Sequence, residues 1–251
     1  MIEVSPDRLK LVARTLIENS DIPKGVWPGI QSPDPTQKEA NKFFLGAILD
    51  FQIKADKAWD NAERLSEKIL GDPENLWEEI TKVSLDEWNA RKKEYALHRY
   101  PVGHQRVYTI GQQIVRLHQG DVRNIWKGHS PNEILSRLDE VGVRGQIARM
   151  ILGALMDTGQ IDGKKADVKA DLHVRRVLGR ILFGKKASLT PEEATEFTRK
   201  MNPENPWASG SAAFRIGITV NLYSKNPSMH PMLYGITLPV PGRNQRLSLS
   251  E

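Results

Sequence analysis

The chain has 251 residues, a formal net charge of +5, 39% hydrophobic and 27% charged residues, and no cysteine. That length can bury a real core in one large domain or two small ones, and the missing cysteines exclude disulfides, cysteine-held zinc and cysteine-ligated iron–sulfur clusters. The longest apolar run, Met150 to Met156 interrupted by Gly153, falls far short of the ~18 to 20 residues of a membrane span.

The opening Met1-Ile2-Glu3-Val4-Ser5-Pro6 has neither the basic region nor the apolar core of a secretory signal. The expectation is a soluble, intracellular protein (cytoplasm or nucleoid) with no membrane partner. Ser5-Pro6-Asp7 reads as a helix start, and an irregular stretch follows from Pro23 to Pro35. Asp34-Pro35-Thr36-Gln37 then offers a cap, a proline at the first helical position and an amide at the third; proline is harmless there because its missing N–H had no partner. Phe44, Ile48 and Phe51, then Ala55, Ala58, Ala62, Leu65 and Ile69, recur at helical spacing and mark buried stripes. Asp72-Pro73-Glu74 resembles another start, and Ser84-Leu85-Asp86-Glu87, Ser130-Pro131-Asn132-Glu133 and Thr190-Pro191-Glu192-Glu193 each place a carboxylate three residues after a hydroxyl cap. A polar connector runs from Asp157 to Lys165, Ile216 to Val220 reads as buried helix, and Gly235 to Val240 reads as tail. Strand-like alternation is scarce, so the fold class is all-α.

Charge is uneven. Residues 1–97 carry 14 Lys+Arg against 18 Asp+Glu, a net of −4; residues 98–251 carry 22 against 13, a net of +9. A basic half suits a polyanion, although a solvated basic surface has the same composition.

The most specific segment is Leu138-Asp139-Glu140-Val141-Gly142-Val143-Arg144-Gly145-Gln146-Ile147-Ala148-Arg149-Met150-Ile151-Leu152. An apolar helix end meets a glycine turn, and a second helix begins. Backbone N–H groups at such a start, with the positive end of the helix dipole, suit a phosphate and read no base sequence. An ordinary αα-hairpin with a glycine cap has the same pattern. Downstream lies Val168-Lys169-Ala170-Asp171-Leu172-His173-Val174-Arg175-Arg176-Val177-Leu178-Gly179-Arg180-Ile181-Leu182. Asp171 opens a helix there, with Arg175 four residues on, which fits a capping aspartate as well as a reactive one.

Together these segments resemble the endonuclease III-like (HhH-GPD) superfamily of DNA glycosylases. The first is similar to its helix–hairpin–helix, with Arg144 where the second glycine of Gly-hydrophobic-Gly is expected and Gly145 directly after. The second is similar to its Val-Asp-Thr-His-Val-x-Arg-Val segment, with Leu172 in place of threonine. Phe43 to Ile53 resembles the early helix that ends in a Gln-containing loop, so the likeness spans about residues 40 to 182.

The resemblance implies a two-lobed helical architecture with a central cleft. Residues 36–160 would form one lobe with the helix–hairpin–helix, and residues 1–35 plus 161–251 a second carrying the catalytic aspartate. It implies Asp171 and Gln146 at the catalytic centre, facing the cleft, and DNA contacts from Gly142, Val143, Arg144, Gly145, Gln52 and Arg175. The family's bifunctional members carry a lysine where Gln146 stands, and an amide nitrogen has no free lone pair for attack. The implied activity is therefore a monofunctional base-excision glycosylase. Its partner would be double-stranded DNA with a modified or mispaired base, bound by a monomer with neither cofactor nor metal. Two alternatives stay open: a bifunctional glycosylase/lyase using Lys164, Lys165 or Lys169, and a non-catalytic DNA-binding module. The stretch Tyr223 to Pro231 lacks the family's four-cysteine cluster, as in cluster-free branches. Arg99, Tyr100 and Tyr108 are further candidates for DNA contact, against burial of the aromatics; Trp207, Phe214 and Tyr223 read as core. The six histidines show no metal spacing, and His173 reads as structural.

Overall fold

The computed structural model describes residues 4–18, 27, 29–161, 166–183 and 189–223. Among these the regular structure is helical, with one isolated β-bridge between Trp27 and Ile30. In chain order the helices are α1 (Pro6–Glu18), α2 (Gln37–Leu49), α3 (Ala55–Glu63) continued by a π-helical turn (Arg64–Ile69), α4 (Leu76–Thr81), α5 (Leu85–Ala90), α6 (Lys92–Tyr95) and α7 (Pro101–His118). A 3₁₀ turn (Val122–Ile125) leads to α8 (Pro131–Glu140), α9 (Gly145–Asp157), α10 (Leu172–Phe183), α11 (Pro191–Met201) and α12 (Pro206–Tyr223). The all-α expectation holds among the described residues, and α12 includes Ile216 to Val220 as a helix. No described helix is long and apolar enough to cross a membrane. The tail from Gly235 and most of Tyr223–Pro231 lie outside the described residues.

The starts of α5, α8 and α11 follow the hydroxyl–carboxylate rule. Ser84, Ser130 and Thr190 are N-caps whose side chains accept the N–H of Glu87, Glu133 and Glu193, and each glutamate reaches back to the cap's own N–H. Two expected starts need correction. At Asp34-Pro35-Thr36-Gln37 the cap is Thr36, not Asp34, because Glu39 completes a capping box with Thr36, and a carboxylate is the stronger partner at a helix start. Asp72-Pro73-Glu74 starts no helix: Asp72 Oδ1 accepts the Asn75 N–H at 3.0 Å, fixing a bend just before α4.

Contacts divide the chain into two compact units, Ile22–Lys169 and Met1–Asp21 with Ala170–Glu251. Residues 27, 29–35, 161 and 166–169 therefore group with the central unit, where the sequence had suggested the terminal one. Side-chain bonds join parts of these segments to the central unit. Trp27 Nε1 donates to Asp157 at 3.1 Å, Arg123 Nη1 donates to the Pro35 carbonyl at 3.3 Å, and Lys169 Nζ lies 3.3 Å from Asp50.

In the unit 22–169, α2 is buried nearly all round, from Ala40 to Leu49 apart from Lys42, as a helix apolar on every face must be. Gly46 lets α3 approach: a Cβ there would lie 1.9 Å from the Trp59 ring. Buried Asn41 is fully bonded, donating to the Pro73 and Glu74 carbonyls at 3.3 and 2.8 Å and accepting from Trp77 Nε1 at 2.9 Å, so its desolvation is compensated. Trp88 and His104 exchange two bonds, indole N–H to the His104 carbonyl at 3.0 Å and imidazole Nε2 to the Trp88 carbonyl at 2.8 Å.

In the other unit, α1 buries Leu9, Val12, Ala13 and Leu16 against α11 and α12. α10 packs on α12 across Gly217, where a Cβ would lie 2.7 Å from His173 Cβ.

Candidate functional site

The hairpin between α8 and α9 is built by a glycine stop. The Gly142 N–H donates to the Asp139 carbonyl at 2.9 Å, and the Val143 N–H donates back to the Leu138 carbonyl at 2.7 Å. This paired closure is the Schellman arrangement, which requires a left-handed residue at the first position past the helix; Gly142 has φ +87°. The two positions whose apolar side chains customarily accompany it are Leu138 and Val143, both fully buried. Arg144 follows in extended conformation (φ −130°, ψ 169°) and gives no side-chain cap. Gly145 then has φ +59°, so the second left-handed position falls one residue later than Gly-hydrophobic-Gly would put it. That displacement explains why an arginine is accommodated at 144.

The N–H groups of Gly145, Gln146 and Ile147 open α9 with no partner among the described residues. Gly142, Arg144 and Gly145 are exposed, whereas Val143 is buried and serves as the turn's anchor. The Arg144 Nε–H is bonded to Asp139 across the turn, in a pair open to solvent. Gln146 is half-buried, and its Oε1 is shielded without a hydrogen-bond partner.

Gln52 lies in the loop after α2, exposed and left-handed (φ +54°). Such a φ is uncommon for a residue with a Cβ and persists where neighbours impose it. Phe51 supplies the restraint. Its ring stacks on His98 with centroids 4.1 Å apart and planes within 16°. The Phe51 carbonyl lies 2.7 Å from His98 Nε2, and His98 Nδ1 accepts the Tyr100 N–H at 3.1 Å. These two bonds fix the tautomer, with the proton on Nε2. Lys169 Nζ lies 3.3 Å from Asp50 Oδ2 and 3.1 Å from Met150 Sδ, with both charged side chains 17% exposed. It thereby links the base of the Gln52 loop to α9, one turn past Gln146. Lys164 and Lys165 lie outside the described residues.

Asp171 stands immediately before α10. Its Oδ1 accepts the N–H groups of His173 and Val174 at 2.9 and 3.1 Å, the bonding of an N-cap. Oδ2 has no bond among the described residues, and the side chain is partly open to solvent. Arg175 does not pair with Asp171. Its Nε donates to the Leu189 carbonyl at 2.6 Å and its carbonyl accepts the Leu189 N–H at 3.3 Å, which ties α10 to the residue before the α11 cap. Arg176 and Arg180, one turn apart on the same face, are exposed. The His173 ring meets Phe214 edge-on at 5.9 Å, a packing role. No group of acidic and histidine side chains among the described residues could hold a metal.

No family model matches the chain, and no curated protein matches it either.

Tyr108 is core: it is 5% exposed and its hydroxyl donates to the Val83 carbonyl at 2.9 Å. Tyr100 is 39% exposed, with the Arg99 guanidinium 4.6 Å above its ring. Trp207 is buried, and Phe214 is half-buried; of the Tyr223 side chain nothing is described. The sequence reading passed over Arg106. It lies in α7 with Val102, Gly103, Thr109 and Ile110 at the neighbouring helical positions, so no carboxylate stands three or four residues away. That spacing was the available signal.

Proposed function

We propose that this protein is a DNA base-excision glycosylase that extrudes a damaged or mispaired base and hydrolyses its N-glycosidic bond with water. The observation that carries the reading is Asp171, whose carboxylate is oriented through one oxygen by two backbone N–H groups while the other oxygen has no bond among the described residues. Breaking the C1′–N bond develops positive charge on the deoxyribose. A fixed carboxylate stabilises that cation and accepts the proton of the water that adds to C1′. The uncapped start of α9, reached through a turn held by backbone bonds, supplies N–H donors for a phosphate. Base extrusion favours lesions that unstack cheaply.

Gln146 stands where bifunctional relatives of the resembled superfamily carry lysine, which supports hydrolysis over lyase chemistry. Lys169 is occupied by Asp50 and Met150. The test is a panel of duplexes, each with one modified or mispaired base, incubated with the protein and then treated with alkali. Strand cleavage at one lesion only after alkali is the expected result, with no adduct trapped by borohydride. A trapped adduct overturns the hydrolytic assignment. Duplex binding with no base release across the panel leaves the protein a DNA-binding module.

A further inference from the structure

Arg106 is half-buried in the second turn of α7, and burial pushes its guanidinium below the usual arginine range. A buried cation normally sits against a carboxylate or carbonyl, yet Arg106 has neither among the described residues. Its contact is the Phe51 ring, whose centroid lies 5.6 Å from the guanidinium carbon, within cation–π range. A ring offers the guanidinium no hydrogen-bond acceptor in its plane, so the N–H donors stay available to another acceptor. Phe51 is itself fixed by stacking on His98 and by its carbonyl bond to His98 Nε2. His98 is 7% exposed, and Gly103 admits it, since a Cβ there would lie 2.5 Å from the imidazole. The next residue after Phe51 is the exposed, left-handed Gln52.

We infer that Arg106, seated on Phe51, binds a phosphate of the DNA backbone beside the Gln52 loop. This rests on the reading that the protein binds DNA, and it adds a contact that neither the hairpin nor Asp171 provides. An arginine already ordered by packing loses little freedom on meeting a phosphate and can engage it through two parallel N–H bonds. The contact carries no base information, so it positions the duplex and leaves selectivity elsewhere.

The test measures binding of a short fluorescein-labelled duplex by anisotropy over a range of NaCl. Arg106→Gln is expected to weaken binding about five- to tenfold, equally for different sequences, and to lower the slope of log K against log salt by about one. Arg106→Lys should keep the slope. Arg116→Gln is the control for net charge, since Arg116 is exposed nearly three turns further along α7 and bonded to Gln113. If it lowers the slope as much as Arg106→Gln, the proposal falls. In the unaltered protein, duplex should slow modification of Arg106 by phenylglyoxal, read by peptide mapping; unchanged reactivity overturns the proposal even where Arg106→Gln fails to fold. Protection by inorganic phosphate without any effect of Arg106 on duplex binding assigns the seat to free phosphate and overturns it too. Loss of base release with Arg106-dependent binding intact sinks the glycosylase reading alone. Failure of the unaltered protein to bind duplex sinks both.

Discussion

Asp171 is both cap and proposed catalyst, and two substitutions separate those roles. Asparagine caps helices about as well as aspartate, so Asp171→Asn should keep the Oδ1 bonds to the His173 and Val174 N–H groups and unfold within about 1 °C of the unaltered protein. Asp171→Ala loses both bonds. Loss of a cap costs about 0.5 to 2 kcal/mol, which lowers the unfolding midpoint by roughly 2 to 4 °C per kcal/mol in a chain of this size. Base release should fall at least ~100-fold in both variants, on the scale of removing one fixed electrostatic stabiliser, while duplex affinity stays within about twofold, since a neutral side chain removes no phosphate contact. The assays are thermal unfolding, duplex anisotropy, and alkali-revealed base release on whichever lesion the panel identifies. If Asp171→Asn retains base release, the carboxylate is only a cap and the catalytic assignment fails.

Three further outcomes follow from the packing. Gly46→Ala drives a methyl group into the Trp59 ring 1.9 Å away and should destabilise by about 1 to 3 kcal/mol; an unchanged denaturant midpoint would show that α3 moves away freely. Gly142→Ala meets nothing closer than Ile110 at 3.8 Å. Its loss comes from the left-handed backbone, about 1 to 2 kcal/mol, partly offset by reduced freedom of the unfolded chain, and stability unaffected in urea would contradict the Schellman closure. Burial lowers the pKa of His104, and burial with Arg137 nearby lowers that of His118. The unfolded chain protonates these imidazoles near pH ~6.5 and the folded chain only below that. Their contribution is therefore complete above about pH 6.5 and lost as pH falls, so unfolding free energy should drop between pH 7.5 and 5.5. His118→Asn should flatten that dependence; a slope unchanged by this substitution would contradict the assignment.

Local chemistry was legible in the residues. Ser84, Ser130 and Thr190 announce their helices because hydroxyl, spacing and glutamate act within four residues, and Gly142 announces a stop for the same reason. Asp34 misled because Pro35 made it look like a cap, while the decisive carboxylate, Glu39, lay beyond the window that pairs with Asp34. Asp72 misled because the same side-chain bond that caps a helix also closes a bend. Asp171 was legible as a capping residue, and its second oxygen was not, since that depends on what the fold leaves beside it. The Phe51–His98–Arg106 stack joins residues as far as 55 positions apart, and no helical spacing encodes such a contact. Nor did composition reveal that residues 166–169 belong with the central unit; that rests on contacts between distant positions, of which Lys169 to Asp50 is one.

The bend at 141–143 is closed by main-chain bonds and by the enclosed Val143, and the one ion pair across it among the described residues, Arg144 with Asp139, is open to solvent. Because such an exposed pair contributes little, the proposed anion socket at the start of α9 would change little in dimensions with ionic strength. Raising the salt would empty such a socket sooner, by competition at the charge, while the bend itself would keep its shape for the next occupant.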